Sequence, residues 1–121
     1  MEPSADEPLW LACLCAGWCR TCDAYEPVLR AVAAEFEARF PGLTTRWIDI
    51  EDESDLVGEA EVETFPTLAV VDAAGLRFFG PLTPQPETLR RLLRATLDEW
   101  RPGAAPAEAE VLAFARRLRE G

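Results

Sequence analysis

Between Leu9 and Ile50 the hydrophobic pattern changes period twice, and no other feature restricts the fold as tightly. Leu9 to Cys15 (LWLACLC) is a continuous apolar run, as expected of a strand buried on both faces. From Thr21 the apolar residues recur at helical spacing: Tyr25, Val28, Leu29, Val32, Phe36 and Phe40, with Pro41-Gly42 closing the element. Pro27 falls inside this helix beyond its first turn and predicts a kink near Asp23. Thr44 to Ile50 (TTRWIDI) reads as a second strand. Such a βαβ unit implies parallel strands joined by a right-handed crossover.

Downstream, Asp49 to Glu63 carries eight acidic residues and no basic one, around a weak helical core at Leu56, Val57, Ala60 and Val62. A solvated face is the usual reason for such a run; a docking surface for a basic partner is the alternative. Thr67 to Val71 is a buried strand, Asp72 to Gly75 a turn, and Leu76 to Phe79 its hairpin partner, with Gly80-Pro81 breaking the chain. Pro86 to Trp100 is amphipathic, with Leu89, Leu92, Leu93, Leu97 and Trp100 on one face, and Arg101-Pro102-Gly103 ends it. A last helix, Pro106 to Arg119, sets Val111, Leu112, Ala115 and Leu118 on one side. The order β-α-β-α-β-β-α-α is an α/β arrangement with a mixed four-stranded sheet.

With 121 residues, 49% of them hydrophobic, the chain can bury a core as one domain. Its net charge of −10 argues against binding nucleic acid through phosphate neutralisation. There is no His, and all twelve basic residues are Arg. These absences exclude Ser-His and Cys-His nucleophile pairs, imidazole metal ligands, Schiff bases and P-loops. The acidic start MEPSADEPLW has no basic n-region, and no apolar run is long enough to span a bilayer. We therefore expect a cytoplasmic protein with no membrane attachment.

All four cysteines fall within LACLCAGWCRTCD, at Cys13, Cys15, Cys19 and Cys22. Cys19 and Cys22 form a C-x-x-C at the junction of a strand and a helix. There, unpaired backbone N–H groups and the helix dipole favour a thiolate. The second cysteine lies one turn deeper, close enough to close a disulfide on the first, which suits thiol–disulfide exchange. A structural zinc site is an alternative. Such sites usually take their ligand pairs from separate loops, whereas Cys13 and Cys15 lie on a buried strand and point the same way.

Taken together, Ala16-Gly17-Trp18-Cys19-Arg20-Thr21-Cys22, the interior Pro27, Thr64-Phe65-Pro66-Thr67-Leu68, the Asp72 to Gly75 turn and Phe79-Gly80 resemble the thioredoxin family. The resemblance covers about Leu9 to Leu97. It implies a thioredoxin-like fold, with a central mixed four-stranded sheet flanked by helices and an extra C-terminal helix. It also implies a thiol–disulfide oxidoreductase acting on protein substrates, served by a reductase or oxidase partner, with no cofactor or metal. In that reading Cys19 attacks and Cys22 resolves. Trp18 shields the site and offers a docking surface, Arg20 and Thr21 between the cysteines support the site and substrate docking, and Pro66 holds a cis bond beside the dithiol, with Phe65 lining the substrate path. A non-catalytic binding or assembly module on the same fold is the competing reading.

Three departures from the family pattern are visible. The dipeptide between the cysteines is Arg-Thr where thioredoxins have Gly-Pro; Arg20 favours a Cys19 thiolate, and Asp23 and Glu26 oppose it. Cys13 stands where the family buries an Asp. We read it as apolar filler, with a third redox thiol behind Cys22 as the alternative and Glu26 as the nearest candidate base. The chain before the first strand is too short for the family's opening strand and helix, which leaves Thr44 to Ile50 at an edge. We expect residues 1–100 to form the thioredoxin-like domain and residues 101–121 a helical extension packed on it, in a monomer rather than a homodimer.

Overall fold

The computed structural model describes residues 7–60, 62–100 and 108–120. Strand β1 (Leu9–Cys15) is followed by helix α1 (Arg20–Glu37) and strand β2 (Leu43–Asp49), which pairs with β1 in parallel from Leu9↔Leu43 to Cys15↔Asp49. A single helical turn, α2 (Ser54–Val57), leads towards the hairpin of β3 (Thr67–Asp72) and β4 (Gly75–Pro81). β3 lies antiparallel to both β1 and β4, so the mixed sheet has the order β2-β1-β3-β4. Helices α3 (Pro86–Leu93) and α4 (Ala109–Glu120) complete the fold.

The period of two along β1 divides the core. Leu9, Leu11, Cys13 and Cys15 face one way, into a cluster with Tyr25, Leu29 and Val32 of α1 and Leu89 and Leu93 of α3. Ala12 and Leu14 face the other way, against Val57 of α2 and Val111, Phe114, Ala115 and Leu118 of α4. The C-terminal helix thus covers the second face of the sheet, with Phe114 edge-on to Phe79 at 6.0 Å between ring centres. Its main contacts run to α2, β3 and β4, and Ile48 of β2 is buried in the same cluster.

Several expected boundaries move. α1 ends at Glu37 instead of Phe40: the chain tightens where Arg39 N–H bonds to Phe36 C=O at 3.0 Å, and Leu43 N–H bonds to Phe40 C=O at 2.9 Å on the way into β2. Among its described residues the acidic segment builds only one helical turn, Ser54–Val57. β4 runs through Gly80-Pro81, which an edge strand tolerates because one row of its backbone groups needs no partner. The helix expected over Pro86 to Trp100 becomes π-helical at Arg94–Asp98, where Glu99 N–H bonds to Arg94 C=O at 2.9 Å. Within that turn Thr96 C=O accepts a bond from Arg77 Nη1 at 2.6 Å, and the Thr96 side chain turns inward. On α4 the buried stripe is Val111, Phe114, Ala115 and Leu118, leaving Leu112 49% exposed. The expected stop at Arg101-Pro102-Gly103 lies outside the described residues.

Candidate functional site

The loop between β1 and α1 turns where Cys19 N–H bonds to Ala16 C=O at 3.0 Å. Gly17 occupies its tightest point, since a Cβ there would come within 2.9 Å of Asp49 Oδ2. Asp49 is committed locally, its Oδ1 accepting bonds from the N–H groups of Glu51 and Asp52 at 2.8 and 3.2 Å. Cys19 then takes the N-cap of α1 with extended backbone (φ −87°, ψ 113°), and no side-chain bond caps the first turn. Its N-terminal N–H groups are therefore open to charge developing at Cys19.

Cys19 is the only one of the four cysteines that reaches the surface, and it is a free thiol. Cys22, one turn on, points into the core and is disulfide-bonded to Cys15 of β1, with both residues 1% exposed. The sequence leads one to expect Cys22 to pair with Cys19; in this state its partner is Cys15. Cys22, Tyr25 and Leu29 form the inward stripe of α1, and that stripe packs on the odd-numbered residues of β1. Packing brings Cα of Cys15 and Cys22 to 6.0 Å, inside the usual disulfide span of roughly 4.4–6.8 Å. Of the two strand thiols, the one joined to Cys22 is Cys15 and not Cys13.

Cys13 lies behind this bond, with its Sγ 3.6 Å from Cys15 Sγ. Cys15 carries no hydrogen when bonded, so Cys13 is the donor of this weak hydrogen bond. Burial first, and the charge of Glu26 second, push the Cys13 thiol up to about 12. Cys13 thus keeps its proton at neutral pH. Neighbouring Tyr25 is held protonated in the same way, by burial and then by Cys13, and its hydroxyl has no hydrogen-bond partner. Glu26 is half-buried and accepts a bond from Arg30 at 3.4 Å.

Trp18 stands 70% exposed beside Cys19. Its indole is perpendicular to Phe65, with ring centres 5.6 Å apart, and its Nε1 donates to Glu51 Oε1 at 3.0 Å. Phe65-Pro66 is a cis peptide, and Pro66 is buried. Continuing the β1–β3 register past Leu14↔Thr67 puts Pro66 opposite Cys15. The site therefore joins Trp18, Cys19, Cys22, Phe65 and Pro66, while Arg20 and Thr21 are exposed on the first turn of α1. The residue that sequence reasoning passed over is Cys15; its odd-numbered register with Cys13 was the available signal. Among the described residues no group of three or more His, Cys, Asp or Glu is arranged to hold a metal ion.

The family model for thioredoxin matches residues 4–78. No curated protein matches the sequence. Among solved structures the chain is similar to the germline-specific thioredoxin Deadhead of Drosophila melanogaster (18% identity, 74% of this chain and 81% of that one, TM-score 0.61). It is also similar to the thioredoxin of Trypanosoma brucei brucei (24% identity, 74% and 75% covered, TM-score 0.59). Human ERp44 matches over 74% of this chain at 17% identity and a TM-score of 0.61, but that match spans only 25% of ERp44. At these identities the structural likeness is one of fold.

Proposed function

The chain belongs to the thioredoxin family, and on that premise we propose that it is a thiol–disulfide oxidoreductase that exchanges disulfides with protein substrates through Cys19 and Cys22. The observation that carries this reading is the contrast in access: Cys19 is a free, partly exposed thiol at a helix N-cap, whereas Cys22 is buried one turn below it. A macromolecular disulfide can meet only Cys19.

In the reducing direction, Cys19 thiolate attacks one substrate sulfur and the other substrate sulfur leaves as thiolate. Charge passing over Cys19 faces the open N–H groups of α1. Cys22 thiolate then attacks Cys19 Sγ, releasing the second substrate thiolate and forming the Cys19–Cys22 disulfide. A reductase or small dithiol completes the cycle, and an oxidase partner drives the same steps in reverse. The Trp18–Phe65 pair and the backbone at Pro66 form the wall on which an extended substrate segment rests.

The test is a pair of variants assayed for reduction of insulin by a small dithiol. Cys19→Ser should abolish exchange, and Cys22→Ser should accumulate mixed disulfides through Cys19. Full activity in Cys19→Ser would overturn the assignment of the nucleophile. A wild-type protein that neither reduces insulin nor is itself reduced would support the binding-module reading instead.

A further inference from the structure

Cys15 is buried, bonded to the resolving cysteine, and unused by the two-cysteine cycle. We propose that it is a third redox residue: after exchange it takes Cys22 from Cys19, so that the disulfide comes to rest inside the core and Cys19 returns to the surface as a free thiol. This rests on Cys19 and Cys22 being the exchanging pair.

The geometry sets Cys22 between two possible partners. Along the helix it has Cys19, at the i, i+3 spacing that brings side chains together on one face. Across the packing interface it has Cys15, already bonded. In the transfer, Cys15 thiolate attacks Cys22 Sγ, a Cys15–Cys22 bond forms, and the Cys19–Cys22 bond breaks with its electron pair leaving on Cys19 sulfur. The proton given up by Cys15 is regained at Cys19, directly or through solvent. One disulfide is present before and after, so the step consumes neither oxidant nor reductant. Run backwards, Cys19 thiolate attacks Cys22, Cys15 departs, and the disulfide is returned to the surface for a partner.

Cys13 assists as a positioning residue. Its S–H points at Cys15 sulfur over 3.6 Å, and the same donor stabilises Cys15 as a thiolate, whether it is arriving or leaving. Burial keeps that proton in place at neutral pH.

The consequence is that oxidised protein still presents a nucleophile. Both bonded sulfurs belong to residues 1% exposed, so a bulky reductant can reach the stored disulfide only by way of Cys19.

The experiment is disulfide mapping of the full chain, oxidised with diamide, unfolded in urea containing N-ethylmaleimide and digested with trypsin. Cleavage after Arg20 separates Cys22 from the other three cysteines, and fragmentation both between Cys13 and Cys15 and between Cys15 and Cys19 identifies its partner. Cys22 linked to Cys15, with maleimide on Cys19, is the expected result. Cys22 linked only to Cys19, with Cys13 and Cys15 both labelled, overturns the relay while leaving exchange by Cys19 and Cys22 intact. In Cys15→Ala the oxidised protein should carry the Cys19–Cys22 bond and lose maleimide labelling at Cys19. Labelling of Cys19 unchanged by Cys15→Ala would also overturn the relay. Loss of insulin reduction in the wild type, by contrast, would strike at the exchange reading itself.

Discussion

The indole of Trp18 donates to Glu51 across 33 residues of sequence, at 3.0 Å, and so ties an exposed aromatic beside Cys19 to the loop that follows β2. The bond is solvent-exposed, and its net worth to stability is about 1 kcal/mol or less. In the proposed exchange its role is to hold the docking surface in one orientation. Glu51→Ala should therefore raise KM for insulin with kcat little changed, and leave the urea midpoint close to wild type. A fall in kcat at constant KM would show that Glu51 acts on the chemistry instead.

Cys13 should affect the rate of disulfide transfer more than the ability to exchange. Cys13→Ala removes the donor to Cys15 and leaves a small void at a site with no exposure, costing roughly 1–2 kcal/mol. Insulin reduction in a single turnover should survive, while the reappearance of a labelled Cys19 thiol after oxidation slows. Cys13→Ser, which restores a donor, should recover that rate. Equal rates in the Ala and Ser variants would make Cys13 a filler.

Alkaline stability provides a separate check on Cys13. The folded thiol keeps its proton to about 12, against an ordinary value of 9.0. Above pH 9 the unfolded chain therefore loses a proton that the native state retains. Stability is complete below that pH and falls as pH rises, by up to about 1.4 kcal/mol per pH unit. Tyr25 is shifted in the same direction and adds a further decline above its ordinary value of 10.0. Urea midpoints measured across this range in a Cys19→Ser background should fall faster with Cys13 present than with Cys13→Ala. Parallel slopes would contradict a buried neutral thiol.

Asp72 anchors the hairpin and an ion pair at once. Its Oδ1 accepts the N–H groups of Ala74 and Gly75, both at 2.8 Å, and its Oδ2 accepts from Arg77 Nε at 2.7 Å. Both side chains are about nine-tenths buried, and Arg77 continues to Thr96 C=O and over the Trp100 ring. Removing one partner strands the other, so Asp72→Ala should cost on the order of 3–5 kcal/mol. Disulfide connectivity in the molecules that remain folded should be unchanged. A loss below about 1 kcal/mol would mean that solvent reaches the pair.

Phe114 tests the C-terminal helix as a structural part of the fold. It is fully buried against Phe79 and the second face of the sheet, so Phe114→Ala should destabilise by about 3–5 kcal/mol. Thermal unfolding should remain a single transition, since α4 and the sheet share one core. A separate early transition would show that α4 is a detachable appendage.

Much of this fold is legible along the chain because its cause is local. The run Leu9 to Cys15 becomes β1, the helical stripe from Cys22 to Phe36 becomes the inner face of α1, and the turn at Asp72 to Gly75 joins β3 to β4. The π-helical turn at Arg94 was not legible, since the bond to Thr96 C=O comes from Arg77 on another element. Nor was the inward placement of Phe114 over Leu112, which follows from where α4 meets the sheet.

The cysteines divide along the same line. By itself, the sequence determined that Cys19 and Cys22 share a helix start, because three residues along a helix is a distance set by backbone geometry alone. It also determined that Cys13 and Cys15 share a face of a strand, through the period of two. Which thiol holds Cys22 was decided only by the tertiary structure. That choice depends on how closely α1 packs on β1, and the packing puts the two Cα atoms 6.0 Å apart across an interface that no local spacing encodes.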